Sequence, residues 1–208
     1  MESAWRLRSA RALATLTVVC GALFYLIGDA IKPGYASTSQ FISELNATGT
    51  PWASHLGYLG FLPMGLLCAA FLVLAHPLAR VRGASRLGWW LLWSQPAAWI
   101  GAVMYPCDPG CPIGSSPAQL IHDGLGVVTY MATAAAMVLV SLAPTHPAIT
   151  QWSRIYLRCA GFMFFVIFFV MLAPEVAFIR GLLQRLADTA LAGAWLLIAY
   201  RFIGNDDQ

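Results

Sequence analysis

An all-α fold is predicted for this chain: a polytopic membrane protein, built as a six-transmembrane-helix bundle with two structured outer loops. Three observations predict it. The composition is 59% hydrophobic and 10% charged over 208 residues, with a mean hydropathy of +0.69, which leaves too few solubilising groups to cover a water-facing surface. Charge-free runs recur at the ~20 residues that a helix needs to cross a hydrocarbon core of ~30 Å. The charges also segregate. Six of the nine carboxylates (Asp29, Glu44, Asp108, Asp123, Glu175 and Asp188) fall at one end of the runs, and nine of the twelve Lys and Arg at the other.

The spans follow in order. The first covers residues 12–31, behind Arg6, Arg8 and Arg11, while the second (56–75) and the third (87–105) carry no charge. The fourth, 124–143, starts just after His122 and Asp123. The fifth, 155–173, has Arg158 near its start and holds the aromatic block Phe162 to Phe169; its short charge-free stretch calls for tilt or a buried charge. The sixth, 182–201, places Arg185 and Asp188 inside the nominal hydrocarbon zone. Pro63 and Pro96 interrupt the second and third spans, with Gln95 near the midplane. Prolines there kink helices and free carbonyls, and a central Gln needs a partner. The result is either a cavity beneath the outer loops or ordinary packing helped by Gly60, Gly65, Ala97 and Ala98. With no repeat, long linker or low-complexity block, one transmembrane helical domain over residues 1–208 is the economical organisation.

Arginines 6, 8, 11, 80, 82, 86, 154, 158 and 201 share one side, with Glu2, Asp206 and Asp207 as its acids, and leave Lys32, Arg180 and Arg185 on the other. The positive-inside rule then puts both termini in the cytoplasm of a multi-pass protein of the cell (inner) membrane. Membrane lipids are the expected partners, since a basic inner face suits anionic headgroups and calls for no nucleic acid. A protein partner and a cofactor are not specified. The first span lacks a small-x-small cleavage pattern and reads as a retained helix.

Cys20, Cys68 and Cys159 lie in or near spans, where thiols pack as small apolar groups. Cys107 and Cys111 flank Asp108-Pro109-Gly110 in an outer loop, a turn tight enough to bring the sulfurs together. In an oxidising compartment a local disulfide is favoured. A redox pair is the functional alternative, and a metal site lacks partners at fixed spacing in the sequence. The first outer loop, KPGYASTSQFISELNATGTPWAS, is too long for a minimal connection and is expected to fold back over the bundle, anchored by Phe41, Ile42, Leu45 and Trp52. Asn46-Ala47-Thr48 matches a glycosylation sequon, a pattern common by chance.

The second outer loop delivers His122 and Asp123 to the start of the fourth span, and neighbours ~100° apart on a helix cannot share one narrow stripe. Asp123 has a bland account as a helix-start acid. His122 could move a proton or ligate a metal, or simply hydrogen-bond a loop carbonyl. Ionisable groups at membrane depth face a protein interior, a partner or a water-filled cavity. Arg185 and Asp188, three apart, are placed to pair with each other; Glu175 has Arg180 or Arg185 in reach, and Asp29 has Lys32. Four histidines at span ends invite a bis-histidine haem. However, His76 and His146 each precede a proline, which marks them as loop-edge residues, and the helical separations of ~31 to 36 Å put the groups at the lipid surfaces.

KPGYASTSQFISELNATGTPW, then YPCDPGCP followed by IHDGLG, then GLLQRLADTALAGAWLLIAYRF together resemble domain-of-unknown-function family 998, prokaryotic six-pass membrane proteins of about this length. The resemblance covers nearly the whole chain and implies a fold but no activity. Lys32 stands before Pro33, and Gln184 stands before Arg185 where the resemblance leads one to expect an acid. FISELNATGTP is more distantly similar to the ISDTG-and-proline loop of six-pass eukaryotic membrane proteins linked to lipid remodelling and autophagy, which points toward lipids.

Two function classes follow. One is a lipid-handling protein or a hydrolase/transferase at the outer membrane interface. In it His122 is general base or metal ligand, Glu44 and Asp108 are acid, base or ligand partners, Ser43 is a candidate nucleophile, and Arg185 with Asp188 binds substrate, Arg185 holding an anionic headgroup. No metal site is expected as such. The other is a non-catalytic transporter or accessory membrane subunit whose outer polar cluster binds an ion or a partner.

Overall fold

The computed structural model describes residues 2–204. Asp206 and Asp207 of the basic side lie outside them. The helices are α1 (Glu2–Ile31), α2 (Ala53–Leu78), α3 (Ala84–Leu91), α4 (Ser94–Met104), α5 (Pro117–Val140), α6 (Gln151–Met171) and α7 (Pro174–Phe202). By length and composition α1, α2, α5, α6 and α7 are each able to cross a membrane. The third span, expected at 87–105, is not a single helix, because α3 and α4 split it at Leu92 and Trp93. Pro96 causes the break. Having no N–H for the Leu92 carbonyl, it leaves that oxygen to accept from the Gln95 amide at 3.1 Å.

The other proline acts differently. Residues Gly57–Phe61 of α2, just before Pro63, widen into a π turn, and the Leu62 amide bonds the Gly57 carbonyl five residues back. A π bulge next to a helical proline absorbs the missing bond without ending the helix. The helix of the fourth span begins before the apolar run expected at 124–143. α5 starts at Pro117, with the Ser116 hydroxyl accepting from the Gln119 amide. Serine at the N-cap followed by proline is a strong start signal, so His122 and Asp123 sit inside the helix, one turn in.

Each span packs on the one before it, α1 on α2, α2 on α4, α3 and α4 on α5, α5 on α6, α6 on α7, and α7 returns to α1. The ring closes at its sparsest seam, between α1 and α7. At the arginine-rich end the core is filled by Phe71, Trp89, Met137, Trp195 and Phe202, all buried. Gly88 allows a close approach of α3 to α5 there, since a Cβ would stand 2.7 Å from that of Leu139. The arginines of this end close helix ends. Arg154 donates to the Ser141, Ala143 and Pro144 carbonyls beyond α5, where the helix dipole favours a cation. Arg11 reaches the Ala199 carbonyl, and a bridge from Ala79 to Ile203 joins the ends of α2 and α7. Outward faces are apolar, with Leu26, Phe162 and Phe169 more than half exposed, and such faces contact lipid.

Candidate functional site

At the other end the first loop folds back over the bundle. Residues Ile42–Asn46 form a 3-10 turn whose Ile42 and Leu45 are buried. Trp52 is not one of its anchors: it starts α2 with a positive φ and is 51% exposed. Glu44 is buried and fully occupied by the loop, accepting from the Phe41 amide and the Gln40 side chain, each at 2.9 Å. Its charge faces Arg180 at 3.6 Å, and Arg180 also lies over the Phe41 ring. Arg180 is thus the partner of Glu44, and Glu175 is left exposed.

Lys32 does not pair with Asp29. Its ammonium turns into the loop and donates to the Glu44 and Leu45 carbonyls and to the Thr50 hydroxyl; burial holds it below its ordinary pKa, against the opposing pull of Glu44. Asp29 instead accepts from Arg185 at 2.6 Å. The same guanidinium holds the Ser37 carbonyl and the Tyr35 hydroxyl, so Arg185 pins the loop to α1 and α7 rather than meeting Asp188. Burial pushes the Tyr35 phenol up to about 12, although Arg185 pulls the other way. Gly181 completes the contact, because a Cβ there would overlap the Ser37 and Gln40 carbonyls. Asn46 is buried with its amide on the Ala102 carbonyl, which closes the sequon to a glycan.

The second loop is tied down as well. Asp108-Pro109-Gly110-Cys111 makes a turn in which the Cys111 amide bonds the Asp108 carbonyl and Gly110 supplies the positive φ. Cys107 and Cys111 are joined as a disulfide, their Cα atoms 5.2 Å apart. The Thr48 amide bonds the Cys107 carbonyl and joins the two loops. Asp108 accepts from the Ser115 hydroxyl, and the hydroxyls of Ser115 and then Ser116 hold its carboxyl below the usual range. Asp123 accepts from the Gly114 amide and the Gln119 side chain. Both acids therefore serve the loop.

What is left faces inward. His122 lies on α5 with Nδ1 2.9 Å from the Tyr105 carbonyl. A carbonyl only accepts, so Nδ1 carries the proton and Nε2 keeps the lone pair. His122 lines two adjoining cavities, of about 110 and 320 Å³, that share Ser43, Gly126, Tyr130 and Gln184. The inner one reaches Gln95, Thr129 and Asp188. The outer one is walled by Phe41, Val127, Phe168, Met171 and Leu172, and its rim residues Ile113, Val127 and Leu172 are exposed.

The Ser43 hydroxyl stands 3.5 Å from the Cys111 sulfur; a disulfide sulfur has no proton, so the hydroxyl is the only possible donor. Among the described residues the buried Tyr130 hydroxyl has no partner at hydrogen-bond geometry; the Gln184 side chain is close enough to act on it, its oxygen accepting from the Ile42 amide. Asp188 receives the Tyr25 hydroxyl at 2.6 Å. That pair also lines a third, mostly apolar cavity of about 260 Å³ at the α1–α7 seam.

Residues 4–201 match a protein family described as Protein of unknown function (DUF998). The chain belongs to this family. Nothing among curated proteins matches the chain, and no solved structure matches it. The family carries no assigned activity, and the membrane character of the chain rests on its long apolar helices.

Of the residues singled out in the sequence, the chamber collects Ser43, His122 and Asp188, whereas Glu44, Asp108 and Arg185 are engaged in holding the loops. Tyr25 and Tyr130 were missed, and Gln184 was named only as a departure from the family pattern. Tyrosines within apolar spans were the available signal, since a buried phenol needs a partner for its hydroxyl.

Proposed function

We propose that this is a lipid-handling membrane protein that takes the polar end of an amphiphile into the chamber around His122. One observation carries the reading: a polar pocket, with the Tyr130 hydroxyl unpartnered and a lone pair on His122 Nε2, continues into an apolar groove with an exposed rim. Polar groups at the back and hydrocarbon at the mouth match a headgroup and an acyl chain. On the charge asymmetry, the chamber faces the outer side of the cell membrane, with both termini cytoplasmic. Hydrolysis or transfer is the catalytic form of the same reading. Ser43 would then be the nucleophile and His122 Nε2 the base, oriented by the Tyr105 carbonyl as a third group orients a catalytic imidazole.

The test is photo-labelling of the purified, oxidised full chain with a lysophospholipid bearing a diazirine in its acyl chain. Labelling should map to α5 and α6, and His122→Ala combined with Tyr130→Phe should reduce it roughly tenfold, the loss expected of one or two polar contacts. Equal labelling of wild type and variant would sink the proposal. A transporter or accessory subunit is the second reading, and the Tyr25–Asp188 pair favours it by standing between the chamber and the seam cavity. Under that reading Asp188→Asn abolishes function while leaving lipid labelling intact.

A further inference from the structure

The second loop and α5 bring together three groups that the sequence separates. The sulfurs of Cys107 and Cys111 and a ring nitrogen of His122 all lie within 4.8 Å of one another. The partner that a two-cysteine metal site lacks in the sequence is thus supplied by the fold. We propose that, when the two cysteines are reduced, Cys107, Cys111 and His122 bind one thiophilic d10 cation, with Zn²⁺ as the probe, and that formation of the disulfide empties the site.

Two sulfurs and an imidazole nitrogen are a ligand set that soft or borderline cations prefer. The histidine is already prepared for it. Metal-bound imidazoles donate their other N–H to a carbonyl or carboxylate, which fixes the tautomer; His122 Nδ1 is at hydrogen-bond distance from the Tyr105 carbonyl, which leaves Nε2 for a cation. Three protein ligands leave a fourth position, and Ser43, 3.5 Å from the Cys111 sulfur, stands beside it on the chamber wall. A cation there would present an open coordination site to the cavity, the arrangement of catalytic rather than structural zinc.

The chemistry balances in both directions. Loading replaces two thiol protons by the cation, giving a neutral dithiolate–metal unit and two released protons. Emptying needs a disulfide-class oxidant. Exchange with it joins Sγ of Cys107 to Sγ of Cys111, passes two electrons to the oxidant, which takes up two protons from water and leaves as two thiols, and releases the cation. The loop therefore has two mutually exclusive states, and the structure records the oxidised one. The inference uses the same chamber as the proposed function but does not rest on amphiphile binding, which is measured on the oxidised protein.

The experiment is equilibrium dialysis of the full chain in detergent against Zn²⁺, after reduction with a phosphine and again after reoxidation, with bound metal measured by mass spectrometry. The reduced protein should hold about one Zn²⁺ per chain and the oxidised protein almost none. His122→Ala should weaken binding roughly tenfold or more. In a second measurement, Co²⁺ added to reduced wild type should give thiolate-to-cobalt charge-transfer absorption and the visible bands of a tetrahedral site. The Co²⁺ spectrum needs no variant to fold. Absent charge-transfer bands, equal Zn²⁺ binding by the oxidised chain, or unchanged affinity in a folded His122→Ala protein would each overturn the proposal.

Discussion

At the arginine-rich end, Phe71 meets Trp195 and Trp89 with ring centroids 5.2 and 6.3 Å away, and all three rings are buried. On the loop-bearing side, Tyr130 stacks on Phe164 at 4.5 Å, yet its hydroxyl ends beside a cavity without a partner. The filled half has its own cost, since the indole N–H groups of Trp89 and Trp195 are buried without partners. The difference lies in where polar side chains are used. In the filled half arginines close helix ends and the interior is apolar. In the open half nearly every charge ties down a loop, and the loops roof a chamber in which His122, Tyr130 and Ser43 keep free hydrogen-bonding capacity.

That contrast can be broken or sharpened by substitution. Phe71→Ala should have the largest effect, costing about 3 to 5 kcal/mol as buried aromatic truncations do. It would be read as a lower melting temperature in detergent and faster thiol labelling of the buried Cys68. A loss no larger than that of a chamber-wall truncation would abolish the distinction between the halves. Glu44→Gln keeps the shape but removes the charge facing Arg180. The buried, hydrogen-bonded position implies about 1 to 3 kcal/mol, appearing as faster amide exchange in the first loop while the Phe71 region is unchanged. Tyr130→Phe should change stability by less than about 1 kcal/mol in either direction, because it deletes a hydroxyl that has no partner to lose. A large destabilisation by Tyr130→Phe would show that this hydroxyl is structural and that the chamber is part of the packed core.

The apolar helices, the two proline interruptions and the folding back of the first loop were legible because each is written locally. A run of apolar residues, a missing N–H and a loop rich in anchors need no knowledge of neighbours. Ion pairing was not legible. Asp29 is three residues from Lys32 but pairs with Arg185 across the α1–α7 seam, and Arg185 makes no ion pair with Asp188 one turn away. Such choices depend on how α1 and α7 face each other, which sequence proximity does not encode. The start of α5 was legible and was missed: Ser116-Pro117 marks it, but the expected span began where hydrophobicity rises, and the helix begins before it enters lipid.

The joint between α1 and α7 also dictates an order of events. The first loop emerges early in synthesis, yet part of what holds it comes from the last helix: Gln184 bonds Ile42 across 142 residues of chain, and Arg185, which holds the Ser37 carbonyl, reaches Asp29 across 156. Until α7 is in place, the loop has only its ties to Lys32, Ala102 and Cys107, and the chamber has no wall on that side. The final helix is the keystone of the ring. A ribosome stalled before residue 180 would leave five finished segments around a site that does not yet exist.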